Sequence, residues 1–139
     1  MKEQKTPELE NIMTDKAIAA LKAHKLYNPK RVIFISFSKN ICKKLAKEAP
    51  KFTTQYLGND VAPDDLAADA INGIDFHYGV FSAHTDWYDQ ARAHGMSVNC
   101  WTVDGSETIQ SMIDLGVDCI TTNEPLLVRQ ILGDKESRK

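Results

Sequence analysis

The spacing between β-rich runs limits most what this chain can fold into. Four segments, 31-RVIFISF-37, 52-FTTQYLG-58, 97-SVNCWTV-103 and 118-DCITTN-123, are rich in β-branched and aromatic residues. The stretches between them are long enough for a helix, and several breaks between helix and strand hold only Gly or Pro. Parallel pairing needs a crossover of that length, whereas a hairpin does not. The first run is apolar on both faces, as a strand covered on both sides should be. The pattern predicts an α/β fold in which β/α units repeat around a parallel sheet.

Helix caps punctuate the same pattern. Thr14 is the expected N-cap of 15-DKAIAALKAHK-25, where Ile18, Leu21 and Lys25 share a face. Ser38 is expected to cap 39-KNICKKLAKEA-49, with Ile41, Cys42 and Leu45 as the apolar stripe and Pro50 as the stop. Pro63 opens a helix through Ile71 that Asn72-Gly73 ends. Further helices are expected over 85-TDWYDQARAH-94, over 107-ETIQSMIDL-115 between Ser106 and Gly116, and over 125-PLLVRQIL-132 before Gly133. The segment 74-IDFHYGVF-81 alternates like a short strand, yet Gly79 weakens that pattern and leaves it open. Residues 1–13 read as a charged leader, 14–133 as the folded unit and 134–139 as a charged tail.

Composition excludes several classes of partner. A net charge of −2 over 139 residues gives no electrostatic reason to bind nucleic acid or anionic lipid. No apolar run approaches the ~20 residues of a membrane span. The opening MKEQKTPELEN lacks the apolar stretch of a secretory signal, which leaves the compartment open. Cys42, Cys100 and Cys119 form no C-x-x-C pair, so buried free thiols are expected rather than a disulfide framework or a zinc site.

The run 97-SVNCWTVDGSETIQSMIDLGVDCITTNEP-125 resembles the end of glycerophosphodiester phosphodiesterases. In that family a Trp-Thr-Val-Asn strand end is followed by a helix and then Gly-Val-Asp-Gly-Ile-Ile-Thr-Asp-x-Pro. Upstream, 32-VIFISF-37 is similar to the family's Val-Ile-x-x-Ser-Phe strand, and 55-QYL-57 sits where the next strand belongs. Asp104, Cys119 and Asn123 depart from the pattern, standing where the family has Asn, Gly and Asp. The resemblance implies an eight-stranded (β/α) barrel, which needs ~250 residues. The chain therefore looks like the C-terminal half of that TIM-type barrel, about four β/α units.

The same resemblance implies metal-dependent hydrolysis of a glycerophosphodiester to an alcohol and glycerol 3-phosphate. A Ca or Mg ion would neutralise phosphate charge while a His pair moves protons. The family's His-Arg-Gly, its metal carboxylates and its His-Asp pair have no counterpart here, and His24, His77, His84 and His94 stand in other contexts. Neither catalytic residues nor metal ligands are therefore assigned to this chain. The residues expected to face substrate are Ser36, Tyr56 and Trp101, at the C-terminal ends of strands. Strand periodicity puts Asn99, Trp101 and Val103 on one face and Val98, Cys100 and Thr102 on the other. Trp101 either lines an apolar wall for the glycerol or alcohol group or packs against a helix. Asp60, Asp104 and Glu124 follow strands and are read as caps or loop charges before ligands. Lys43, Lys44 and Lys47 make a solvated helix face.

Two other readings compete. A half-barrel with open edges could be a binding or assembly module that pairs with a missing N-terminal half or with a second copy. A doubly wound nucleotide-binding sheet ranks last, because the loop SFSKN after the first strand holds no glycine.

Overall fold

The structure, a computed structural model, describes residues 1–136. Helix α1 (Pro7–Ala23) leads to strand β1 (Ile33–Ser36), followed by α2 (Lys39–Glu48), β2 (Thr53–Tyr56), α3 (Pro63–Ala68) and β3 (Gly73–His77). Then come α4 (Val80–Ala83), α5 (Trp87–Ala93), β4 (Ser97–Trp101), α6 (Ser106–Leu115), β5 (Cys119–Ile120) and α7 (Pro125–Glu136). Among the described residues the strands form one five-stranded sheet in the order β1-β2-β3-β4-β5, every neighbouring pair parallel. Sequence order combined with parallel pairing is progressive winding, the geometry of a barrel arc; a doubly wound sheet reverses its order. The parallel α/β sheet expected from the spacing is observed, and its winding is that of the half-barrel the resemblance implies.

The arc holds one strand more than the four counted from the sequence. Residues 73–77 form a central strand, with Ile74, Asp75 and Phe76 opposite Val98, Asn99 and Cys100 of β4. Gly79 does not interrupt it, because the strand has already ended at His77 and Val80–Ala83 makes a single helical turn.

The core lies between the sheet and the helices, on one face of the sheet. Phe34, Ile41 and Leu45 are buried with Ile18 and Phe52 between α1, α2 and β1. Ile74, Phe76 and Val98 anchor the larger cluster, against Leu66, Trp87, Ile109 and Met112. Each such side chain contributes about 1.5–3 kcal/mol when fully buried.

Several element ends differ from the sequence expectation. Helix α1 starts at Pro7, with Thr6 accepting a hydrogen bond from the Leu9 N–H at 3.3 Å, so part of the expected leader is helical. Thr14, expected as its cap, lies inside the helix, buried, with its hydroxyl donating to the Glu10 carbonyl at 2.8 Å. The competing N-cap won because Pro at the first helical position is already set for helix and loses no hydrogen bond there. Helix α3 stops at Ala68 rather than Ile71, since Ala70 takes a left-handed φ of 59°. Gly105 rather than Ser106 precedes α6, and α7 runs through Gly133 to Glu136. The rest of the expected tail, 137–139, lies outside the described residues. Among the described residues no helix is long and apolar enough to cross a membrane.

Candidate functional site

Register decides which side chains face the inside of the arc. Residues paired across a parallel ladder point the same way, and successive residues alternate. Ile33 and Ile35 pair with Thr53 and Gln55, Gln55 with Gly73, and Gly73, Asp75 and His77 with Ser97, Asn99 and Trp101. Asn99 in turn pairs with Cys119. This set faces away from the helices. Phe34, Thr54, Tyr56, Ile74, Phe76, Val98 and Cys100 form the opposite set and are all buried.

An aromatic corner stands at the C-terminal mouth of the inner face. Trp101 ends β4 and is half-buried, and its indole N–H donates to the Asp75 carbonyl at 2.8 Å. The His77 ring lies 5.4 Å from it at 83°, and the Phe37 ring 6.1 Å from it at 78°. Edge-to-face contacts of this kind are favoured by the ring quadrupoles. His77 is fixed further by the Gly79 N–H, which donates to Nδ1 at 3.1 Å, and by stacking on Tyr78. Phe37, directly after β1, is 45% exposed.

Polar groups lie deeper on the same face. Asp75 is 2% exposed and its Oδ1 has no hydrogen-bond partner. Burial pushes its carboxyl up to about 6, an effect the Asn99 side chain only partly offsets. Gln55 reaches across β3 and donates to Ser97 Oγ at 2.9 Å. It can do so because Gly73 lies in its path: a Cβ there would come within 2.7 Å of Gln55 Cγ.

Of the three residues expected to face substrate, the structure turns only Trp101 toward this face. Ser36 is buried on the helix side, donating to the Met1 carbonyl at 2.8 Å and accepting from the Ser38 N–H at 3.1 Å. Tyr56 is also on the helix side, its hydroxyl donating to Asp60 Oδ1 at 2.8 Å. Val103, expected on the Trp101 face, is fully buried in the helix-side core because β4 ends at Trp101 and the alternation ends with it. Cys42 and Cys100 are buried as expected, whereas Cys119 is exposed on the inner face. Phe37, His77, Asp75 and Gln55 were not among the expected site residues. Alternation through 74–81, once read as a strand, places Asp75 and His77 together.

The carboxylates that follow strands are engaged separately. Asp104 accepts from Thr122 Oγ1 at 2.9 Å and from the Asn123 backbone and side-chain nitrogens, each at 2.8 Å. The Asn123 side chain first, and then its backbone, hold the Asp104 carboxyl below the usual carboxylate range. Two of the departures from the family pattern are thus each other's partners: exchanging Asn and Asp between positions 104 and 123 preserves a donor–acceptor pair. Glu124 accepts from the Gly105 N–H at 2.6 Å, joining the same two loops. His84 stacks on Trp87, and His94 pairs with Asp64 on the surface. Lys43 and Lys44 form ion pairs with Asp69 and Asp15. Among the described residues no group of three or more His, Cys, Asp or Glu side chains is placed to hold a metal ion. The divalent cation implied by the resemblance therefore has no fitting donor set in these residues.

Comparison with known proteins agrees with the fold. A glycerophosphodiester phosphodiesterase from Bacillus subtilis is 28% identical over 142 residues, covering 93% of this chain and 47% of that protein. The crystal structure of a glycerophosphodiester phosphodiesterase from Parabacteroides distasonis superposes with a TM-score of 0.91 at 35% identity, covering 97% of this chain and 56% of that one. An Oleispira antarctica phosphodiesterase, solved with the product sn-glycerol-3-phosphate, gives a TM-score of 0.73 at 16% identity over 95% of this chain and 53% of that one, a likeness of fold. The chain spans about half the length of these relatives. The model of the Glycerophosphoryl diester phosphodiesterase family matches residues 1–127, and the chain belongs to that family.

Proposed function

We propose that this chain supplies the substrate-facing wall of a metal-dependent glycerophosphodiester phosphodiesterase, and that the groups which move protons and hold the cation lie outside it. The observation that carries this reading is the Phe37–Trp101–His77 corner at the mouth of a parallel arc. Barrel sites are built at that end of the strands. Trp101 serves as the apolar wall for the glycerol or alcohol group. Ser36 and Tyr56 support the site from behind: Ser36 holds the turn after Phe37, and Tyr56 holds the loop at Asp60. The inward strand positions include no Lys or Arg, so phosphate charge is left for other residues to neutralise.

A (β/α) ring has eight strands, and five lie among the described residues, so the complement in this reading is three units. The test is co-expression with the first three β/α units of the Parabacteroides distasonis relative. The expected result is a co-purifying pair that releases glycerol 3-phosphate from glycerophosphocholine in Ca²⁺ or Mg²⁺. A co-purifying pair with no turnover overturns the reading.

The second reading, an assembly module, draws on the exposure of Ile33 at 48% and Ile35 at 40% on the inner face. Two copies bring ten strands to a ring of eight, which is why it stands second. Sedimentation of the chain as a compact monomer counts against it.

A further inference from the structure

Trp101 stands one residue beyond the last ladder pair between β4 and β5, which is Cys100 opposite Ile120. On its β3 side it is held twice. The Tyr78 N–H donates to the Trp101 carbonyl at 3.1 Å, and the indole N–H donates to the Asp75 carbonyl at 2.8 Å. On the other side β5 is two residues long, and the hold passes to groups that follow the strands. The Val103 N–H donates to the Thr121 carbonyl at 2.9 Å. Beyond that bond two carboxylates, one from each loop, reach across in opposite directions. Asp104 accepts from Thr122 Oγ1 at 2.9 Å and from both nitrogens of Asn123 at 2.8 Å. Glu124 accepts from the Gly105 N–H at 2.6 Å, and its own N–H donates to Thr122 Oγ1 at 2.9 Å. Hydrogen bonds accepted by a carboxylate are roughly twice as strong as neutral ones. These four bonds join the same two loops, so the loops move together or not at all.

We propose that Asp104 is a positioning residue: paired with Asn123, and with Glu124 closing the clasp from the other loop, it fixes the segment that carries Trp101. The value of that placement to a substrate rests on the reading of this chain as the substrate-facing wall. The clasp is directional. Position 104 accepts and position 123 donates, because the Asp104 carboxylate faces the Asn123 amide nitrogen at 2.8 Å. An Asp at position 123 brings two carboxylates face to face at that distance, and like charges so close repel. An Asn at position 104 opposite that Asp restores one donor and one acceptor, with the charge moved to the other loop. Positions 104 and 123 therefore act as one unit, and a change at either is tolerated only with the matching change at the other.

The test follows hydrogen–deuterium exchange of the Trp101 indole N–H by NMR of the purified chain at pH 7.5. The Leu45 amide is the internal reference, because Leu45 is fully buried in the other core cluster, between α1, α2 and β1. Asn123→Asp and Asp104→Ala are each expected to speed Trp101 exchange about tenfold, the equivalent of one hydrogen bond to a charged group, with Leu45 changing less than about twofold. Adding Asp104→Asn to Asn123→Asp is expected to return Trp101 to within about twofold of the parent chain. Unchanged Trp101 exchange in the single variants overturns the proposal. Equal acceleration at Trp101 and Leu45 also overturns it, since that is a loss of overall stability, as does a double variant that stays as fast as Asn123→Asp. The readout needs no turnover, so the two readings fail separately. A complemented pair that releases no glycerol 3-phosphate sinks the wall and leaves the clasp, whereas unchanged exchange beside an active pair sinks the clasp and leaves the wall.

Discussion

The Asp75→Asn substitution should stabilise the fold, and only above acidic pH. Asp75 is 2% exposed with one oxygen unpartnered, and burial raises its carboxyl from the usual 3.8 to about 6. A carboxyl with a raised folded-state pKa binds its proton more tightly when the chain is folded. Its charge therefore costs nothing below the unfolded value, and stability is lost as pH rises from about 3.8 through about 6. A shift of that size corresponds to about 3 kcal/mol once the group is ionised, at roughly 1.4 kcal/mol for each pH unit. Asn keeps the shape and removes the charge, but its amide N–H₂ then needs a partner, which returns part of the gain. The expected effect is a stabilisation of about 1–3 kcal/mol at pH 7.5 and a few tenths at most at pH 3.5. Urea unfolding followed by circular dichroism at both pH values measures it. A variant no more stable than the parent at pH 7.5, or equally stabilised at both, refutes the burial argument.

Other consequences concern packing and reactivity. Gly73→Ala sets a methyl 2.7 Å from Gln55 Cγ and 3.2 Å from the Ser97 carbonyl oxygen, so urea unfolding should show a loss of about 1–3 kcal/mol. An unchanged midpoint means that Gln55 is free to move aside. Glu10 is buried in α1 and accepts from Ser38 Oγ at 2.8 Å and Asn40 Nδ2 at 3.0 Å, so Glu10→Ala strands two donors and should cost about 1–3 kcal/mol. Cys42 and Cys100 are buried and pushed up to about 12, whereas Cys119 is exposed. Mass spectrometry after brief iodoacetamide treatment at pH 8 should find Cys119 alkylated and the other two intact until urea is added. Equal labelling of all three contradicts the burial described.

The parallel sheet was legible because crossover lengths and turn glycines can be read directly along the chain, whereas its being an arc of a barrel rested on the family resemblance. Ser38 capping α2, Gly116 ending α6 at a φ of 87° and Pro125 opening α7 are all found where the residues suggested. The strand at 73–77 was obscured by Gly79, which lies beyond its end. The face of each strand was harder to read. Ser36 and Tyr56 occupy strand ends, as expected of site residues, but a shift of one position reverses a side chain, and ladder register alone assigns the face. Phe37, just after β1, and His77, at the end of β3, each meet the Trp101 ring of β4, a convergence of three strands that no pattern along the chain encodes.

Assaying the purified chain by itself, with glycerophosphocholine and Ca²⁺ or Mg²⁺, tests most directly whether its reacting groups come from elsewhere. No glycerol 3-phosphate above the rate without protein is the expected result. Sustained release that EDTA abolishes would contradict it, because this chain would then hold a cation and its own proton-transfer groups.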